Sequence, residues 1–232
     1  MSSPERKREI KNAKALAQVR RDQLLDEHTA AKLKKAYIGL VYSIIRKEEL
    51  AIPKRACVEH FFACEGDSNI LHVEYVPPSV TVRIGSTEHN VRYDAIVRFM
   101  DHRVEYRSAV NPSENCTLRE KAAEALCGTF LPITPQWLNE HGQRIANWKR
   151  ALAAYRMCSR HSLNHYKSYL SAVVLQRGVC KFGELLELYG QENRPLALAA
   201  IVELIGSHTF ASDLDSNVWG RFSTVWIREH VS

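Results

Sequence analysis

The spacing of hydrophobic and polar positions changes character several times along the chain. Between Glu5 and Ile38 there is no Gly or Pro, and Ala, Leu, Lys, Gln and Arg dominate, so helix is predicted over residues 5–50. The first half of that stretch is polar with a sparse Ile10, Leu16, Val19 stripe, and the second, Lys32 to Ile45, is apolar enough to pack. Pro53 closes the region. Arg55–Cys64 then reads as a short helix and Gly66-Asp67-Ser68-Asn69 as a turn. Strands follow at Ile70–Tyr75 and Ser79–Ile84, the second alternating as a half-buried strand should. Next comes a hairpin, Val91–Phe99 and Val104–Val110, around Asp101-His102-Arg103.

Beyond the hairpin, Thr117-Leu118-Arg119-Glu120 has the form of a capping box and predicts a helix over 118–127. A short strand at Thr129–Ile133 leads into Thr134-Pro135, an N-cap and first helical residue. The helix or pair of helices that follows carries Trp137, Leu138, Ile145, Trp148, Leu152 and Tyr155, with Gly142 as a candidate break. Helices are predicted at Ser162–Gln176, Phe182–Tyr189 and Pro195–Ile205, each stopped by a glycine, and two β-rich runs flank Asp213–Asn217. Three short helices and a β hairpin form a winged-helix pattern. The resulting expectation is an α/β fold in three parts: a basic helical arm over 1–35, a mixed sheet flanked by helices over 36–157, and a winged-helix-like domain over 158–232.

Composition narrows the class. The 232 residues are 45% hydrophobic and 25% charged, those of an ordinary globular protein. No apolar run approaches the ~18 residues that span a bilayer, and Met1–Arg8 lacks the apolar core of a secretory signal, so no membrane partner and a cytoplasmic location are expected. The six cysteines form no C-x-x-C pair or zinc-spaced cluster, which suits buried thiols in a reducing compartment. A formal net charge of +6 suits a polyanion such as DNA. The candidate phosphate contacts are Arg6, Lys7, Arg8, Lys11, Lys14, Arg20 and Arg21 in the arm. Arg144, Lys149, Arg150, Arg156 and Arg160 follow in the middle helix, and Arg194 and Arg221 in the last domain.

The chemistry-bearing candidates centre on the hairpin. An aspartate opening one strand and a second strand across a tight turn are the layout of metal-dependent PD-(D/E)XK endonucleases. Together with the helical Glu59 in Cys57-Val58-Glu59-His60-Phe61-Phe62, the Asn147-containing helix Arg144–Arg156, and the run from Leu198 to Asp215, the chain resembles the TnsA-like endonuclease subunits of heteromeric transposases. The resemblance covers most of residues 55–227. It implies a restriction-endonuclease-like domain joined to a winged-helix-like one, with Glu59 and Asp94 at retained acidic positions. It also places Ser108 and Val110 where the family carries an acidic or amide residue and a lysine. Two carboxylates hold Mg²⁺, which polarises phosphate and activates water; serine binds Mg²⁺ poorly and valine offers no charge. The resemblance therefore implies a nuclease fold impaired in cleavage, with no resident cofactor, that binds DNA or a transposase or recombinase subunit in a mobile-element or phage assembly. Two alternatives stay open. One is an active Mg²⁺-dependent endonuclease using Glu59, Asp94, Glu105 and Arg107. The other is a winged-helix DNA-binding regulator, against which stands the apolar Pro195–Ile205 helix, with almost no side chains able to read base edges.

Overall fold

The segment predicted as the end of a long helix is an antiparallel hairpin. Strands β1 (Ile38–Ser43) and β2 (Glu48–Pro53) pair from Ile38–Pro53 to Ser43–Glu48 in the computed structural model, which describes residues 37–158 and 160–228. The β-branched and aromatic side chains of Ile38-Gly39-Leu40-Val41-Tyr42 suit a half-buried strand. Gly39 is required where it stands, because a Cβ there would meet Val58 Cγ2 at 2.5 Å. Lys47 closes the turn at φ 55°, a left-handed position. The basic arm expected over 1–35 lies outside the described residues.

Helix α1 (Arg55–Glu65) follows, then β3 (Ile70–Tyr75). The run expected as one strand from Val91 to Phe99 is two: β5 (Thr87–Val91) pairs with β4 (Val80–Ile84) in a separate hairpin, and β6 (Ala95–Phe99) begins after a bend at Asp94. Strand β7 (Val104–Ala109) returns antiparallel to β6 through a turn where His102 takes φ 66°. Helix α2 (Thr117–Ala125) then carries the chain to β8 (Thr129–Ile133), which lies parallel to β7. The capping box expected at Thr117 does not form: the N-cap is Cys116, with no side-chain cap, and the Thr117 N–H donates to Asn115 Oδ1. The main sheet thus has the order β3-β6-β7-β8.

Alternation sorts the sheet into two faces. Val73, Ala95, Val97 and Phe99 pack with Val58, Phe61 and Cys64 of α1 in the larger core. Ile96 and Tyr106 face the other way, against Tyr93 and Ala122 and Ala123 of α2.

Of the one helix or pair of helices expected after Thr134, the pair forms: α3 (Pro135–Glu140), capped by Thr134 Oγ1 accepting from Trp137 N, and α4 (Gly142–Cys158). The remainder comprises α5 (Asn164–Arg177), β9 (Cys180–Lys181), α6 (Phe182–Glu187), α7 (Arg194–Gly206), β10 (Phe210–Ser212) and β11 (Thr224–Ile227). Strand β11 pairs with β10 on one side and β9 on the other. Helix α4 packs on both α1 and α7, and one hydrophobic core runs from Val41 to Val225. The expected boundary at 157–158 therefore falls at the end of a helix shared by both sides. The protein is a mixed α/β structure, and among the described residues no helix is long and apolar enough to cross a membrane.

Candidate functional site

The bend before β6 gives Asp94 its surroundings. Its N–H donates to Arg107 O at 2.9 Å and its carbonyl accepts from Val76 N at 2.9 Å, so the backbone is tied to two neighbouring strands. Ala95 pairs with Arg107, which places Asp94 opposite Ser108 in register. The side chains part company. Alternation from Tyr106 turns Ser108 toward the α2 side of the sheet, and its buried Oγ has no hydrogen-bond partner among the described residues. The Asp94 carboxylate instead accepts from the Ala109 N–H at 2.8 Å and from Lys54 Nζ at 3.0 and 3.1 Å. Val110 is buried and donates its N–H to Ile133 O. Neither Ser108 nor Val110 supplies a polar atom to Asp94.

Lys54 is the residue that sequence reasoning missed. It stands at the N-cap of α1 with φ 65°, after the Pro53 that closes β2, and its ammonium reaches back to the strand. The only local signal for it was a lysine between a strand end and a helix start. Cys57, in the first turn of α1, lies beside Asp94, and burial first and the Asp94 charge second push its thiol up to about 12. That sulfur therefore stays a protonated thiol beside the carboxylate at neutral pH.

Glu59 belongs to another pairing. Its Oε1 accepts from Arg55 Nε at 3.2 Å and lies 3.8 Å from Lys149 Nζ. Among the described residues no group of three or more His, Cys, Asp or Glu side chains is arranged to hold a metal ion. A hard divalent cation needs several oxygen ligands; here the Asp94 oxygens are taken by an ammonium and an amide, and Glu59 by two cations. The donor set does not fit Mg²⁺.

Glu105 and Arg107 lie on the α1 face, buried. Arg107 donates from Nε and Nη2 to Glu105 Oε2 at 2.9 and 2.6 Å, and Arg103 Nη1 donates to Oε1 at 2.6 Å. The remaining Arg107 nitrogen lies 3.0 Å from His60 Nε2 and 3.6 Å from Cys64 Sγ. Burial, followed by the Arg107 charge, holds the His60 imidazolium form well below its ordinary range, so a neutral ring accepts from the guanidinium. Trp137 stacks on His141 at 3.9 Å beside this network. A cleft of about 220 Å³ opens here, with Arg103, Glu105, Arg107, Trp137, His141 and Arg144 on its walls. Every Arg107 nitrogen has a partner, which makes the pair a packed element of the core.

The basic candidates scatter. Arg144 grips Asp215 through Nε and Nη2 at 2.7 and 2.8 Å and Asp67 through Nη1 at 3.0 Å, bridging the turn after α1 to the segment after β10. Lys149 pairs with Glu59, Arg156 with Glu49 and Arg221 with Glu187. Arg150 and Arg160 are exposed, and Arg194 buries its Nε. Arg6, Lys7, Arg8, Lys11, Lys14, Arg20 and Arg21 lie outside the described residues. Helix α7 is buried along Ala197, Ala199 to Val202 and Leu204 to Gly206, so its length serves the core. A scan of known protein-family models finds none that matches this chain, and a search of curated proteins returns no match.

Proposed function

We propose that this chain is a TnsA-like protein, nuclease in fold and impaired in cleavage, that binds DNA or a transposase or recombinase partner as a structural member of a mobile-element or phage assembly. The element order supports the fold half of that reading. A helix, three antiparallel strands with the β4–β5 hairpin inserted between the first and second, a crossover helix and a parallel fourth strand resemble the order of a restriction-endonuclease-like core. Helix, short strand, two helices and a strand pair, with the short strand joined to the last one, is the order of a winged helix.

The observation that carries the impaired reading is the environment of Asp94. Its carboxylate is answered by Lys54 and the Ala109 amide, while Glu59 and Glu105 are each paired with two cations of their own. Phosphodiester cleavage by two carboxylates requires them free and adjacent. The buried α7 favours packing or protein docking over base reading.

Supercoiled plasmid incubated with the full chain and Mg²⁺ or Mn²⁺ tests this. The expected result is intact plasmid. A metal-dependent nick abolished by Asp94→Ala overturns the impaired reading, and its loss in Glu105→Ala as well would install Glu105 and Arg107 as the working pair. DNA binding is read by the salt dependence of affinity, compared with a truncation lacking residues 1–35. Absence of salt-dependent binding in both leaves the protein partner as the ligand.

A further inference from the structure

A second, larger cleft lies away from Asp94, where the β1–β2 turn, the end of α4, α5 and the C-terminal end of α7 meet. It encloses about 500 Å³, within the range of small-molecule sites. Its floor is apolar, formed by Ile44 and Leu204, and its walls are polar. Lys167 and Glu203 form an ion pair at 2.7 Å on one wall, both partly buried. Ser168 and Ser171, three apart on one face of α5, present hydroxyls beside it. Tyr42 and Tyr155 pack their rings 5.8 Å apart and complete the lining. Lys47, held in a left-handed turn, is exposed at the rim and makes no ion pair among the described residues.

This lining selects a ligand chemistry. A fixed Lys–Glu pair offers donors and an acceptor side by side, which matches hydroxyls that both donate and accept. Serine and tyrosine hydroxyls extend the same pattern, and the tyrosine rings and apolar floor suit the C–H face of a sugar ring. Two ammonium groups against one carboxylate leave one cation uncompensated, and that cation is the unpaired Lys47. A phosphoryl group at the rim would satisfy it. A wholly apolar ligand would strand the Lys167–Glu203 pair without water, which is costly.

We propose that this cleft binds a phosphorylated sugar, with the ring hydroxyls on the Lys167–Glu203 pair and the α5 serines and the phosphoryl group on Lys47. The sugar phosphate comes either free or as the ribose phosphate of a nucleotide.

Isothermal titration of the full chain with ribose 5-phosphate, AMP and unphosphorylated ribose tests the assignment. Saturable binding of at least one phosphorylated ligand is expected, with ribose about tenfold weaker or worse. Ribose 5-phosphate binding as well as AMP points to the free sugar phosphate, and AMP binding alone to the nucleotide. Lys47→Asn removes the charge and keeps a residue that tolerates the left-handed turn; it should weaken the phosphorylated ligand about tenfold and leave ribose unchanged. Ser168→Trp, at an exposed position, should block all three ligands by filling the cleft. No saturable binding of either phosphorylated ligand up to about 10 mM, an affinity too weak to matter, overturns the proposal. So does binding that both variants leave untouched.

Discussion

Replacing Glu105 with alanine separates a packed ion pair from a catalytic one. The Glu105 side chain is 10% exposed and accepts three charged hydrogen bonds, two from Arg107 and one from Arg103. Without it, the Arg107 guanidinium, 6% exposed, keeps only a neutral imidazole and a thiol. A buried charge stripped of its counter-ion costs about 3–5 kcal/mol. Because the network opens onto a cleft and Arg103 is half exposed, the lower end applies, about 3 kcal/mol. For a chain of this size that lowers the melting temperature by about 6–12 °C.

Circular-dichroism melts of Glu105→Ala, Arg107→Met and the double variant Glu105→Leu/Arg107→Met measure the effect. Removing both charges leaves no uncompensated ion, so the double variant should melt closer to the unmodified protein than either single variant does. A Glu105→Ala melt within about 1 °C of the parent, or a double variant as damaged as the sum of the singles, refutes the argument.

Three further outcomes follow from the same geometry. Burial lifts the Glu65 carboxyl from 4.5 to about 7 despite hydrogen bonds from Ser43 Oγ and Ile44 N; the folded state then holds a proton the unfolded state has released, so stability should fall as pH rises through that window and level off above it. Urea midpoints across the window read this, Glu65→Gln should flatten the slope, and a wild-type excess that rises with pH contradicts it. Lys54→Met, at a half-exposed ammonium, should cost less than about 1 kcal/mol and leave Mn²⁺ titrations without saturable binding; saturable binding would mean that the lysine alone blocks a metal site. Arg144→Ala should cost about 1–3 kcal/mol by urea unfolding and leave the salt slope of DNA affinity unchanged, whereas a slope reduced by about one would make it a phosphate contact.

Much of the fold was legible where local signals agree with packing. Thr134-Pro135, Gly142 and Gly178 mark helix ends because cap chemistry and glycine conformation act within a few residues. The strand at 38–43 was misread because Lys, Ala and Leu around it favour helix, while the deciding contacts, Gly39 against Val58 and Ser43 against Glu65, come from about twenty residues away. The bend at Asp94 was hidden for a related reason. Val91 to Phe99 alternates like one strand, yet Val91 pairs with Val80 and Ala95 with Tyr75 and Arg107. Register placed Asp94 opposite Ser108, but only the bend decides which face its carboxylate meets. Lys54 was invisible because its partner lies forty residues on.

The charges around α1 argue for what this face holds. Asp94, Glu59 and Glu105, with Asp101 sharing Arg103, are answered by Lys54, Arg55, Lys149, Arg103 and Arg107, five cationic side chains for four carboxylates. A divalent-cation site needs the opposite balance, with carboxylates in excess and their lone pairs directed into open space. Restoring an acid at Ser108 would not by itself reverse this, since Asp94 would keep Lys54 and the Ala109 amide as its partners. The pairing of these carboxylates with cations, more than any one missing residue, is what sets this face apart from a divalent-cation site.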